Sequence, residues 1–482
     1  MEAVVKNMAK IPNWARDAIF YQIFPDRFAR SARPGKDNFQ PWGSTPTVNG
    51  FQGGDIYGII EKIPYLKDLG VTAIYLNPVF AAGSNHRYNT FDYYKVDPLL
   101  GGNEALKELI DALHKSGMKI IMDGVFNHVG RGFYQFNHVL ECGESSPYRD
   151  WFKIESFPLN AYSNDKKANY WCWWGIKDLP KLNTDNKEVR SFILDVAAHW
   201  IRFGADGWRL DVPNEINDDA FWQEFRRVVK KENSEAYIVG EIWKDEEKYT
   251  AERWLKGDQF DAIMNYGFKI ACEGFFIGDR LDKSLVNDGE GQAHVSKLSA
   301  KQFAGRIELI LSRYDKDIVY SQYNLLDSHD TARLLTMCGG DLRVMKLAVL
   351  MMMMYPGAPA IYYGDEIGID GGKDPDCRKA FNWDENFWNK DLRAYYKKLI
   401  EIRKKYSCIR HGSYRTVYAD DAKNMYVFKR EYNGEKVLVL INNSEQDNSI
   451  DFSLEGFSGT CLVSGEKVKS IVKAKMAYVL GS

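Results

Sequence analysis

The chain has 482 residues, too many for one compact core, so two or three domains are expected, one of them large. A net charge of −2 gives no electrostatic reason to bind nucleic acid or an anionic membrane, and 45 % hydrophobic residues supply a sizeable core. No stretch nears the roughly 20 apolar residues of a membrane span, and the first twenty residues hold no apolar run of signal-peptide length.

Seven scattered cysteines form no CxxC pair, so a reduced compartment, the cytoplasm, is the expectation. Eight short β-rich apolar runs follow one another along the chain, at residues 18–24, 72–79, 119–126, 205–212, 237–243, 260–266, 323–329 and 358–366. Helix-length spacers separate them. Residues 103–117 read as one such helix, with Asn103 as N-cap and Gly117 as the C-terminal stop. Alternating strand and helix imply a parallel sheet, and about eight repeats imply a closed (β/α)₈ barrel in the α/β class.

Residues 129–178 break the rhythm. They are aromatic, irregular and longer than an ordinary βα loop, and read as a subdomain inserted after the third strand. "NYWCWWG" at 169–175 crowds flat rings that serve either as core filling or as platforms for the apolar CH faces of sugars. "MMMMY" at 351–355 reads as helical core packing before the eighth strand, and "RKK" at 403–405 as a solvated helix face. Beyond about residue 405 the pattern alternates. Residues 424–443 give two strands about Asn433-Gly434, a hairpin signal, and residues 467–480 continue in that style. The expected division is a barrel over 1–128 and 179–404, an inserted subdomain over 129–178, and a C-terminal antiparallel β-sandwich over 405–482.

Active sites of such barrels lie at the C-terminal ends of the strands. The third run ends in Asp123 and continues to Asn127-His128. The fourth ends in Arg209 and Asp211, the fifth in Glu241 followed by Trp243, and the seventh in His329-Asp330. Any one of these alone reads as a structural ion pair. Four ring positions converging on one mouth read as a catalytic centre.

"DGVFNH" (123–128), "GWRLDVPNE" (207–215), "GEIW" (240–243) and "SHD" (328–330) resemble, in order, the four signature regions of the α-amylase superfamily, glycoside hydrolase family 13. "GVTAIYLNPVF" (70–80), "LPKLN" (179–183) and "YYGDEIG" (362–368) support the resemblance, which runs from about residue 17 onward. "SNHRYNTFDYYKVDP" (84–98), "LPKLN" and "GGKDPDCRKAFNWDE" (371–385) look most like the neopullulanase, cyclomaltodextrinase and maltogenic amylase group. Pro213 stands where that group commonly has the alanine of "ANE". The group's extra N-terminal β domain is not expected here, because the first barrel strand begins almost at once.

The resemblance implies Asp211 as nucleophile, Glu241 as general acid/base, and Asp330 as a third carboxylate that binds sugar hydroxyls and favours the distorted ring. It implies His128 and His329 as hydrogen-bonding partners of the sugar at the cleavage point. Tyr88 would be the platform beneath it, with His86 nearby, and Asp374 and Arg378 would contact the next sugar. Asp123 reads as a member of a structural network.

Elementary chemistry agrees. Glycoside cleavage through a covalent intermediate needs two carboxyls about 5–5.5 Å apart, and Asp211 and Glu241 come from adjacent strands. Arg209 is expected to keep Asp211 ionised, and a dry setting beside Trp243 to keep Glu241 protonated.

No cofactor is required by this chemistry. The family often carries calcium in the loop after the first strand. Asp37, Asn38 and Gly54-Asp55 stand there, but so do Arg30 and Ser31 where oxygen ligands are expected, so a structural calcium ion stays open and no metal ligand is assigned. The expected activity is retaining hydrolysis of α-1,4 links, with α-1,6 links tolerated, in maltooligosaccharides, cyclodextrins or starch and pullulan fragments. A 4-α-glucanotransferase using the same intermediate is the close rival. A non-catalytic glycan-binding protein is disfavoured by the presence of all three carboxylates. A metal hydrolase lacks a third histidine at ligand spacing. The partner is an α-glucan oligosaccharide, and oligomeric state is left open.

Overall fold

The computed structural model describes residues 11–33, 38–163, 167–243, 251–286, 295–450 and 456–482. Eight parallel strands form the central sheet: β1 (Phe20–Ile23), β2 (Ala73–Leu76), β3 (Lys119–Gly124), β4 (Gly207–Leu210), β5 (Tyr237–Gly240), β6 (Ala262–Ile263), β7 (Tyr323–Asn324) and β8 (Ala358–Tyr362). They pair in the order β6-β5-β4-β3-β2-β1-β8-β7, and a further parallel bridge from Met264 to Tyr323 closes the last gap. Every run expected as a barrel strand is one.

Side chains alternate along a strand, so each strand feeds two compartments. Facing inward, Phe20, Ala73, Tyr75, Ile121, Val239, Ala262, Met264, Tyr323 and Ala358 share one closed apolar plug. The outward set, including Ile74, Ile120, Trp208, Ile238 and Ile361, joins the larger core beneath the surrounding helices. Each fully buried side chain of this kind contributes about 1.5–3 kcal/mol, which offsets the cost of burying charge above the plug. The next inward positions toward the C-terminal rim are polar: Gln22, Asn77, Asp123, Arg209, Asp211 and Glu241, all buried. Register brings Asp123 opposite Arg209 and Arg209 opposite Val239, so Asp211 and Glu241 leave neighbouring strands at the same height. Gly207 permits this close pairing, since a Cβ there would lie 2.1 Å from the carbonyl oxygen of Tyr237.

The helix expected at 103–117 spans Gly102–Lys115, and its N-cap is Gly101 rather than Asn103. The Asn103 side chain instead accepts from the N–H of Val96 at 2.7 Å and donates to the carbonyl of Tyr94 at 3.0 Å, stitching the helix start to the strand Thr90–Val96. Gly117 does end the helix, at φ +77°. Residues 129–178 contain a helix the sequence did not announce, Tyr134–Cys142. Phe136 on this helix packs edge-on against Phe152 and Tyr170. Bridges from His128 to Lys181 and from Cys172 to Pro180 tie the segment to "LPKLN".

Met351 to Met354 are buried on the helix Leu342–Met354, as expected. "RKK" is a correction. Arg403 is fully buried and donates to the carbonyls of Met353, Tyr355 and Gly357, receiving the carbonyls left unpaired where that helix ends and β8 begins. Only Lys404 and Lys405 face solvent. A short helix, Ser407–His411, precedes the C-terminal unit. There β9 (Ser413–Asp420), β10 (Met425–Tyr432), β11 (Glu435–Asn442) and β12 (Met476–Gly481) form an antiparallel sheet in that order. Asn433 (φ +48°) and Gly434 (φ +85°) make the two-residue turn between β10 and β11. A second, two-stranded pair, Asn448–Ser449 with Ile471–Val472, shares a core with Met425, Val427, Leu438 and Leu440.

All seven cysteines are free thiols. Among the described residues, no helix is long and apolar enough to cross a membrane.

Candidate active site

One arginine organises the rim. Arg209, fully buried on β4, reaches three carboxyls. Its Nη1 lies 2.9 and 3.0 Å from the two oxygens of Asp123 and 3.2 Å from Oδ1 of Asp211. Its Nη2 lies 2.5 Å from Oε1 of Glu241, a charge contact rather than an aligned hydrogen bond, since the same nitrogen has no geometrically satisfied acceptor. Asp211 and Glu241 are thus held by the two terminal nitrogens of one guanidinium, on adjacent strands, at the mouth where the resemblance places them. The backbone N–H of Val212 also donates to Glu241 Oε2, at 3.3 Å. Val212 is a β-branched residue in the left-handed region, φ +34° and ψ 52°, a conformation that costs on the order of 1–3 kcal/mol.

Burial raises the proton affinity of every carboxyl here. Glu241 is raised chiefly by burial and then by Asp123, with Arg209 opposing. Trp243 contributes a hydrogen bond that acts the other way, so the expectation that Trp243 dries and raises Glu241 is corrected: burial in the rim does it. Asp211 is also raised, by burial first, although Arg209 pulls it down as expected. One guanidinium among three carboxyls does not offset the desolvation, and Asp123, Asp211 and Glu241 are all raised. Asp330 is raised to about 7, by burial and then by Glu241, with Arg378 and Arg209 opposing. Its carboxyl sits deep in the cleft even though 31 % of its side-chain surface is open to it.

Asp330 meets His329 Nε2 at 3.1 Å and Arg378 Nη2 at 3.3 Å. Arg378 also donates from Nε to the carbonyl of His329 at 2.8 Å and pairs with Asp374 at 3.1 Å. The expected Asp374–Arg378 pair is therefore joined to the third carboxylate. Tyr88 lies parallel to His329, with 5.4 Å between rings, and its hydroxyl donates to Asp123 at 2.9 Å. His86 accepts the N–H of Tyr88 on Nδ1, at 3.1 Å. Burial, then the charges of Arg378 and Arg87, push His86 down to about 3.

His128 is likewise lowered to about 3 by burial. Asn127 Nδ2 faces its Nδ1 at 3.1 Å, so Nε2 carries the proton, and that nitrogen is buried without a partner among the described residues. An orphaned buried donor is what a sugar hydroxyl would satisfy. The His128 ring stacks on Trp173 (5.4 Å, 25°), and Trp173 stacks on Trp174 (4.7 Å, 12°), which is 66 % exposed. Of "NYWCWWG", Tyr170 is core and Trp173-Trp174 form a flat track leading out from His128. Trp243 stacks on Tyr266 at 3.9 Å, and the Tyr266 hydroxyl lies 3.4 Å from Glu241.

Asp123 is the network member expected: all its close contacts are donors, from Arg209, Tyr75 and Tyr88. Sequence reading missed Gln22, Asn77, Tyr75 and Tyr266, which join this network. Gln22 and Asn77 had a signal, each being a lone amide in an apolar run.

In the loop after β1, the carboxylate of Asp55 is already engaged within the protein. Asp55 caps the helix Ile56–Glu61 with Oδ1 on the N–H of Gly58 at 2.7 Å. Its Oδ2 accepts the hydroxyl of Ser31 at 2.8 Å. Its oxygens face donors, where a cation would need bare acceptors. Asp37 lies outside the described residues. Among the described residues, no group of three His, Cys, Asp or Glu side chains is placed to hold a metal ion.

A closed parallel barrel with carboxyls grouped at its C-terminal mouth and an aromatic track beside them is the arrangement a glycoside hydrolase needs. Residues 22–389 match the α-amylase catalytic domain family, and residues 414–482 match the maltogenic amylase C-terminal domain. The chain belongs to the α-amylase family. It is similar to a cyclomaltodextrinase of Geobacillus thermopakistaniensis, 44 % identical over 93 % of this chain and 72 % of that protein. It is also similar to neopullulanase 2 of Thermoactinomyces vulgaris, 43 % identical over 91 % of this chain and 71 % of that protein. The solved debranching enzyme of Nostoc punctiforme superposes with a TM-score of 0.89 at 44 % identity, covering 98 % of this chain and 99 % of that one.

Proposed function

We propose that the chain is a retaining α-glucan hydrolase. It cleaves α-1,4 links, and tolerates α-1,6 links, in maltooligosaccharides, cyclodextrins and fragments of starch or pullulan. Asp211 attacks the anomeric carbon as the C–O bond to the leaving sugar breaks, and Glu241 gives its proton to the departing oxygen. Glu241 then takes a proton from water, whose oxygen attacks the same carbon and releases Asp211. Asp330, His329 and His128 hold the hydroxyls of the reacting sugar. Tyr88 and His86 underlie it, Arg378 and Asp374 meet the next one, and Trp243 borders the acid.

The observation that carries this reading is the clamp of Arg209 on Asp211 and Glu241 together. Burial raises the proton affinity of Glu241, which suits an acid, while Arg209 beside Asp211 favours its carboxylate against the same burial. The relatives named for cyclomaltodextrin and pullulan support the substrate class. Seven free thiols favour action inside the cell.

The reading keeps the expected division: a barrel over 1–128 and 179–404, an inserted subdomain over 129–178, and a C-terminal β domain over 405–482. A product profile from maltotriose, β-cyclodextrin, pullulan and starch tests the function. Glucose and maltose alone from maltotriose support hydrolysis. Products longer than the substrate would make the chain a glucanotransferase instead.

A further inference from the structure

Hydrogen-bond direction around the cleft can be traced from one end. The hydroxyls of Tyr75 and Tyr88 donate to Oδ2 of Asp123 at 2.5 and 2.9 Å. Their protons are then committed, so both oxygens can only accept from Asn77 Nδ2, which lies 3.4 and 3.2 Å away. This turns Asn77 Oδ1 toward Gln22, whose Nε2 donates to it at 3.0 Å. The same Nε2 lies 2.8 Å from Nδ1 of His329. An amide nitrogen only donates, so Nδ1 of His329 holds a lone pair and Nε2 holds the proton. That N–H faces Tyr88 Oη at 2.6 Å and Asp330 Oδ2 at 3.1 Å.

We propose that Gln22 and Asn77 are positioning residues that fix His329 as its Nε2–H tautomer, so that the cleft offers a hydrogen-bond donor beside the acceptor Asp330. Neither residue lies in the four motifs that mark the catalytic groups. Without substrate the Nε2–H of His329 is taken up by Tyr88 Oη at 2.6 Å; a sugar hydroxyl that shares or displaces this contact accepts from His329 and donates to Asp330, using its oxygen and its proton once each. The other tautomer would present two acceptors to one proton, leaving one buried group unsatisfied. His329 is fully buried, and burial with the charges of Arg378 and Arg209 keeps it neutral, so the choice between tautomers is the choice that matters.

This inference rests on reading the cleft as the glycosidase centre, but its first test does not. Long-range ¹H–¹⁵N correlation of the full chain labelled with ¹⁵N-histidine, without ligand, reads both ring nitrogens of His329, assigned by the signal lost in His329→Gln. The expected result is a protonated, pyrrole-type Nε2 and an unprotonated, pyridine-type Nδ1. In Gln22→Glu the carboxylate accepts from Nδ1, so the two signals should exchange character, and kcat should fall about 10²-fold as the donor is lost. A pyrrole-type Nδ1 in the unaltered protein overturns the proposal, and that measurement needs no variant to fold. So does a Gln22→Glu protein that keeps both tautomer and kcat. A protein with the expected tautomer but no activity on any α-glucan would refute the proposed function and leave the ring assignment standing.

Discussion

The N–H of Val212 donates to Glu241 Oε2 at 3.3 Å, so the peptide bond that follows one carboxylate holds the other. Asp211 and Glu241 are therefore linked twice, through the Arg209 guanidinium and through this strained backbone step. The left-handed turn at Val212 directs the N–H across to β5, and Pro213 then opens the short helix Pro213–Glu215. Comparing Val212→Gly with Val212→Ala isolates the strain, because both lose the same branches. The glycine protein should be the more stable by about 1–2 kcal/mol, read as the difference in thermal midpoint, since only glycine adopts that backbone freely. Equal midpoints would mean that the turn stores no strain.

Arg209 serves three carboxyls with one planar fork, and lysine offers a single point charge. Arg209→Lys should lower kcat/KM by at least about 10²-fold while the protein still folds. Arg209→Met should cost about 3–5 kcal/mol of stability by leaving buried carboxyls uncompensated. Chemical denaturation and initial rates on maltotriose check the two expectations together.

The raised carboxyl of Asp330 sets a pH signature. Its folded value, about 7, lies above the ordinary carboxylate range. A group of that kind contributes stability that is whole below the unfolded value, near 4, and is lost as pH rises through 7. Asp330→Asn should therefore melt higher than the unaltered protein at pH 8, and the gain should vanish below about pH 4. A gain that grows on acidification would reverse the sign and contradict the assignment.

Arg403 carries a structural expectation. Its guanidinium donates to three carbonyls at the base of the barrel. Arg403→Leu should destabilise by about 2–4 kcal/mol through unsatisfied carbonyls, with KM unchanged because the site is at the opposite end. A change in KM without a change in melting would show that this end communicates with the cleft.

Much of the barrel was legible because strand and helix impose different periods on apolar residues, and eight runs announced eight strands. The catalytic carboxyls were legible because charge at the end of an apolar run has few structural uses. Asn103 misled because its amide suits an N-cap, yet the tertiary contact to Val96 and Tyr94 claimed it. Arg403 misled because a basic triplet on a helix reads as surface, and only the packed base of the barrel shows that its first member points inward. The helix Tyr134–Cys142 lacks a capping side chain and any charge in its first turn to announce it. Gln22 and Asn77 were in view and unread, since no local pattern says that two amides on neighbouring strands share a hydrogen-bond chain.

The pairing of roles between Asp211 and Glu241 has one direct test. Glu241→Gln, mixed with a fluorinated glucosyl fluoride whose good leaving group needs no acid, should accumulate its covalent intermediate. Mass spectrometry of the digested protein should then find one added fluoroglucosyl mass on the peptide containing Asp211. The same treatment of an Asp211→Asn protein should leave that peptide unmodified. A sugar attached to any other carboxyl, or steady release of fluoride with no adduct at all, would contradict the account.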